Sequence, residues 1–105
     1  MIELGGNITL VGFKDLDRGT QTSVKKMVGN YVNKLSDMCN KFETITLHLK
    51  NIHETEKSAK YEIHARLIDN GKLYNSSHLD SNLFVALDAV LKKLETELRK
   101  NKEMS

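Results

Sequence analysis

The sequence predicts an α+β fold, a two-layer β-α-β-β-β-α sandwich in which a four-stranded sheet carries two helices packed on one face. Three observations predict it. Two long segments repeat apolar residues at the three-and-four spacing of an amphipathic helix. Segments between them alternate apolar and polar residues with the period of a half-buried strand. An Asn70-Gly71 dipeptide separates the last two strands, and this pair readily supplies the positive φ angles of a type I′ turn. Every one of these elements has one apolar face, and placing both helices on the same side of the sheet covers them together.

The first strand is expected within Asn7 to Phe13, where Ile8, Thr9, Leu10, Val11 and Phe13 form a β-branched and aromatic mixture. The polar stretch Lys14 to Gly19 connects it to a helix for which Thr20 is the expected N-cap. Val24, Met27, Val28, Tyr31, Val32, Leu35, Met38 and Cys39 then keep the helical period. Gly29 within this helix costs about 1 kcal/mol relative to alanine.

From Thr44 the period becomes two. Ile45, Leu47 and Leu49 face one way, and Thr44, Thr46, His48 and Lys50 the other. The polar run Asn51 to Lys57 is expected to be a loop. Ala59, Tyr61, Ile63, Ala65 and Leu67 then alternate against Lys60, Glu62, His64 and Arg66. After Asp69-Asn70-Gly71, the segment Lys72 to Leu79 returns as the hairpin partner. This meander buries Ile45, Leu47, Leu49, Tyr61, Ile63 and Leu67 beneath the helices and leaves Thr46, His48, Glu62, His64 and Arg66 on the open face.

Asp80 or Ser81 is expected to cap the last helix, which runs from Leu83 to Lys100 with two opposed stripes. Leu83, Phe84, Leu87, Val90, Leu91, Leu94 and Leu98 gather on the core side. Lys92, Lys93, Thr96, Arg99 and Lys100 share the opposite side, with Glu95 and Glu97 at its flanks. A cationic strip on a rigid helix suits a polyanionic partner, although lysine and arginine on a solvated face need none. The pattern alone leaves both readings open.

At 105 residues the chain fits one domain, 1–105, able to bury roughly 60–65% of its unfolded surface. The net charge of +2 and the isoelectric point near 8.7 are milder than the value above about 9 usual for a nucleic-acid domain, so charge placement must carry any such argument. The one cysteine, Cys39, reads as a buried hydrophobe. Without an intrachain disulfide, a charged-then-apolar leader or a long apolar span, the expected location is the cytoplasm, with no membrane contact.

No Gly-rich phosphate loop, nucleophile elbow or suitably spaced carboxylate pair occurs, so neither an enzyme, a cofactor nor a small-molecule substrate is expected. His48, His64 and Glu62 share the open sheet face, but histidines on separate strands lack the short paired spacings of zinc sites, and no metal is expected. His53 and His78 read as solitary surface groups. Tyr31 and Tyr61 lie on core stripes; for Tyr74 core or edge packing is the default reading, and a solvent-facing ring that can stack on a base is the alternative.

The order of elements, together with two segments of the last helix, resembles the ribosome hibernation promoting factor and protein Y family over nearly the whole chain. Leu83-Phe84-Val85-Ala86-Leu87-Asp88 matches the family's Met/Leu-Tyr-Ala-Ala-Ile-Asp start of that helix. Lys93-Leu94-Glu95-Thr96-Glu97-Leu98-Arg99-Lys100 matches its Lys-Leu-Glu-Arg-Gln-Leu-Arg-Lys end, with Thr96 and Glu97 in place of Arg and Gln. Asn82 stands where the family has an aspartate.

The resemblance implies a stress or stationary-phase translation inhibitor that lodges in the mRNA and tRNA channel of the small ribosomal subunit and stabilises idle ribosomes. The family's rRNA contacts come from basic residues on its two helices. The implied RNA-binding residues are therefore Lys92, Lys93, Arg99 and Lys100, joined by Lys25, Lys26 and Lys34. A short form is also implied, because long members add a C-terminal domain that pairs ribosomes. The β-β-β-α half is similar to double-stranded RNA-binding domains. Two other readings stay open: a binder of structured RNA outside the ribosome, and a regulatory module that takes a protein partner on its sheet face or edge. Weak self-association through a sheet edge stays open as well, because nothing in the sequence marks the edges as protected.

Overall fold

The computed structural model describes the backbone of residues 2–4, 7–55 and 58–103, and the side chains of residues 7–50 and 60–101. Along the chain come β1 (Ile2–Leu4), β2 (Ile8–Val11), α1 (Arg18–Met38), β3 (Phe42–Thr55), β4 (Ser58–Asp69), β5 (Lys72–Asp80) and α2 (Leu83–Glu103). The strands form one sheet in chain order, β1-β2-β3-β4-β5. All neighbours are antiparallel except β2 and β3, which run parallel because α1 carries the chain back between them.

The expected α+β architecture is present, with its four strands and two helices. β1 adds a further strand at the edge beside β2. Three residues are too few to display a period, so the sequence did not reveal it.

Alternation along the strands builds the core. Leu10, Ile45, Leu47, Leu49, Ile63, Ala65 and Leu67 project from one face of the sheet. There they meet Val24, Val28, Val32 and Leu35 of α1 and Leu87, Val90, Leu91, Leu94 and Leu98 of α2. Each valine, leucine or isoleucine among them contributes about 1.5–3 kcal/mol on full burial, which holds the two layers together. Among polar groups, Ser76 reaches under α2 and donates a 2.8 Å hydrogen bond to the Val90 carbonyl.

The turn behaves as its residues dictate. Asn70 has φ 50° and Gly71 φ 81°, so the two together close a two-residue hairpin between β4 and β5. Asp69 beside it is buried, and its carboxylate accepts hydrogen bonds from the backbone N–H groups of Lys41 (2.7 Å) and Asn40 (3.2 Å). The chain leaving α1 is thereby tied to the hairpin. Gly12, at φ +85°, passes β3 so closely that a Cβ there would lie 2.3 Å from the Leu49 carbonyl oxygen.

Four expectations are corrected. α1 starts at Arg18 with Asp17 at the N-cap position, so Thr20 lies inside the first turn. Gln21 explains the earlier start, since its side-chain amide donates to the Leu16 (2.7 Å) and Lys14 (3.0 Å) carbonyls and folds the connection onto the helix. The cap of α2 is Asn82, whose Oδ1 accepts from the N–H groups of Phe84 (2.9 Å) and Val85 (3.2 Å), while Asp80 Oδ1 accepts from Asn82 N–H. The expected loop from Asn51 is strand as far as Thr55, because an antiparallel ladder whose register is already set extends through polar residues with little penalty. Glu56 and Lys57 lie outside the described residues, as does the side chain of His53. Tyr74 takes its default packed position, 7% exposed, since pairing with Leu67 turns it under the helices. Phe84 is 38% exposed, because at the first turn of α2 it sits a full residue step round from the stripe begun by Leu83.

Candidate nucleic-acid interface

The helical layer carries the seven basic residues singled out from the sequence, and one acid between the helices gathers two of them. Glu95 follows the core residue Leu94, so its carboxylate falls at the seam of α1 and α2 and is 8% exposed. Tyr31 of α1 donates its hydroxyl to Glu95 Oε1 at 2.7 Å. Lys34 Nζ lies 3.3 Å from the same oxygen, and Arg99 Nη2 donates to Oε2 at 2.6 Å. The Lys34 ammonium also sits 5.6 Å from the centre of the Tyr31 ring. The Tyr31 hydrogen bond holds the Glu95 carboxyl below its usual range; burial opposes this and the Lys34 and Arg99 cations reinforce it. Tyr31 is pushed well above the usual phenol value, first by burial and then by the bond and charge of Glu95.

Lys34 and Arg99 are thus brought together, and both are partly neutralised by one carboxylate. The other five are spread. Lys92 lies on the exposed crest of α2, 3.0 Å from Asp88 Oδ2 one turn earlier. Lys93 turns towards the sheet edge, where Nζ donates to the Ser77 carbonyl at 2.6 Å and comes within 3.4 Å of His78 Nδ1. Lys100 borders a groove of about 330 Å3 shared with Lys72, Tyr74, Glu97 and Asn101. Lys25 and Lys26 are exposed on α1 and make no ion pair among the described residues. Lys25 and Lys34, nine residues apart, lie on opposite flanks of that helix.

Such a surface can neutralise several phosphates from fixed positions, which suits folded RNA recognised by backbone and shape. Two contributors escaped the sequence. Lys72 joins the Lys100 groove, with Nζ 2.6 Å from Asn101 Oδ1, through a hairpin-to-helix contact that no local pattern announces. Glu95 read as a flanking charge, although its spacing of four from Arg99 was a signal of pairing.

On the opposite, open face of the sheet, His48 stands directly across from His64, whose Nε2 is 2.7 Å from Glu62 Oε1. A shallow concavity of about 430 Å3 there is lined by these histidines with Arg66, Asn75 and Ser77. Among the described residues no group of three or more His, Cys, Asp or Glu is placed to hold a metal ion. No helix there is long and apolar enough to cross a membrane.

Residues 18–105 match the family described as Sigma 54 modulation protein / S30EA ribosomal protein. No curated protein shows a recognisable match. Among solved structures, a ribosomal subunit interface protein from Coxiella burnetii superposes with a TM-score of 0.65 at 19% identity, covering 92% of this chain and 96% of its own. The N-terminal domain of Protein Y from Thermus thermophilus gives 0.54 at 19% identity, with 89% and 93% covered. At that identity both establish the shared fold.

Proposed function

Because the chain belongs to the Sigma 54 modulation protein / S30EA ribosomal protein family, we propose that it is a cytoplasmic, ribosome-associated translation inhibitor. It occupies the mRNA and tRNA channel of the small subunit and stabilises idle ribosomes under stress or in stationary phase. The observation that carries this reading is the family match, which spans both helices and every basic residue in question. The neighbour named as a ribosomal subunit interface protein supports it through the shared fold.

In this reading the helical layer is the contact surface. Lys25, Lys26, Lys92, Lys93 and Lys100 meet rRNA phosphates, while Lys34 and Arg99 contribute the charge left after Glu95. Inhibition follows from occupancy, without a bond made or broken. If about four phosphates are engaged, a fourfold rise in salt weakens binding roughly a hundredfold.

The test is co-sedimentation of the protein with small subunits at two salt concentrations, beside a Lys26→Glu/Lys92→Glu variant and an RNA duplex of matched length. Salt-sensitive binding to subunits, reduced in the variant and weaker on the duplex, supports the proposal. Equal binding to the duplex favours a general structured-RNA binder. Folded wild type that fails to co-sediment at low salt overturns both.

A further inference from the structure

β5 is an edge strand of nine residues, whereas the opposite edge of the sheet is the three-residue β1. The two-residue turn at Asn70 and Gly71 makes Asp69 and Lys72 the closing pair of the β4–β5 hairpin. In such a hairpin the closing pair exchanges backbone hydrogen bonds, and the direction then alternates. Lys72, Tyr74, Ser76, His78 and Asp80 therefore turn their backbone groups towards β4. Leu73, Asn75, Ser77 and Leu79 turn theirs outward. The Ser77 carbonyl shows the phase directly, since Lys93 of α2 bonds it from outside the sheet.

The side chains of this edge are complementary to their own reversal. Turned about Ser76, Lys72 meets Asp80, Leu73 meets Leu79, Tyr74 meets His78, and Asn75 meets Ser77. Leu73 and Leu79 are 44% and 45% exposed on the open face. Among the described residues, Lys72 Nζ bonds the neutral Asn101 Oδ1 and lies over the Tyr74 ring, while Asp80 faces His78 at 3.7 Å and accepts from the Asn82 N–H.

We propose that β5 pairs antiparallel with β5 of a second copy of this chain, about a two-fold axis at Ser76. The backbone phase admits this register and excludes those one residue away, and the side chains choose it among the rest. Leu73 with Leu79, and Asn75 with Ser77, become hydrogen-bonded pairs built from the outward-facing groups. Lys72 faces Asp80 of the second copy at both ends of the seam, and the leucines cover one another on the open face. A slip of one residue sets outward groups against inward ones, and a slip of two parts the leucines and the opposite charges. The axis stands perpendicular to the sheet, so the helical layers of both copies fall on one side.

Lys93 opposes this pairing. It holds the Ser77 carbonyl, the acceptor that Asn75 N–H of the second copy needs, and a lysine charge at a sheet edge discourages pairing. Association is therefore weak in the wild type and is tightened by Lys93→Met.

Sedimentation velocity of the full chain over a wide concentration range tests the proposal. Lys93→Met should dimerise at a concentration about tenfold lower than the wild type. Lys72→Asp or Asp80→Lys alone sets like charges opposite at both ends and should weaken dimerisation about tenfold, and the Lys72→Asp/Asp80→Lys swap should restore it. Leu73→Gln/Leu79→Gln, at positions already exposed in the monomer, should abolish it, with circular dichroism confirming the fold. The proposal is overturned by a monomeric Lys93→Met at its solubility limit, by a swap that fails to rescue either folded single variant, or by a dimer that survives the loss of both leucines.

Discussion

Tyr31 on α1 donates a 2.7 Å hydrogen bond to Glu95 on α2, and the carboxylate it reaches also holds Lys34 and Arg99. One buried acid therefore ties the two helices together and fixes the geometry of two of the cations on their outer surface. Packing and candidate function meet at this residue.

Removing either partner should destabilise the fold without changing its architecture. Tyr31→Phe loses a hydrogen bond to a charged acceptor, worth about 1–2 kcal/mol at this partly buried site. Glu95→Ala should cost somewhat more, because it leaves the Tyr31 hydroxyl without its acceptor and also removes two ion pairs to the exposed Lys34 and Arg99, each a small contribution. Urea denaturation should show lower midpoints at an unchanged slope. Midpoints equal to the wild type would show that the helices are positioned by apolar packing alone.

Stability should depend on pH through the same pair. The folded-state pKa of Glu95 is depressed, so its contribution is present above the unfolded carboxylate value and is lost as pH falls through the folded one. The Tyr31 pKa is raised, so its contribution is present below the ordinary phenol value of about 10 and is lost as pH rises beyond that. Thermal midpoints plotted against pH should fall on the acid side more gently in Glu95→Gln than in the wild type. Identical acid limbs would remove Glu95 from the account.

Two glycines should respond to alanine with opposite signs. Gly12→Ala forces a Cβ against the Leu49 carbonyl from a positive-φ backbone and should cost roughly 3 kcal/mol or more. Gly29→Ala, inside α1 with nothing within 4 Å of the added atom, should gain about 1 kcal/mol. Chemical denaturation of the two single variants checks both.

The cations should not contribute equally to binding. Lys26→Ala should lower the slope of log affinity against log salt by about 1 if it contacts one phosphate, with little effect on folding. Arg99→Ala should change that slope less and lower stability as well, since part of its charge is spent on Glu95. Salt titrations of small-subunit binding, paired with thermal melts, separate the two patterns.

What was legible in the sequence was local. The α1 and α2 stripes, the alternation through Ile45, Leu47 and Leu49, and the Asn70-Gly71 turn each write their structure into neighbouring residues, and all of these elements form. What escaped depends on partners distant in sequence. β1 exists through its pairing with β2, and β3 extends through polar residues because β4 continues beside it. The basic residues could be named from the resemblance, but their division between the Glu95 seam, the α2 crest and the β5 side follows from how the helices pack. No run of sequence states that packing.

The claim that the protein occupies the mRNA and tRNA channel is tested most directly by competition on small subunits. Labelled initiator tRNA and mRNA are bound to subunits, and the protein is added at low salt. The account predicts mutual exclusion, with tRNA released as the protein binds and the Lys26→Glu/Lys92→Glu variant displacing it poorly. Simultaneous saturation of one subunit by tRNA, mRNA and this protein would contradict it.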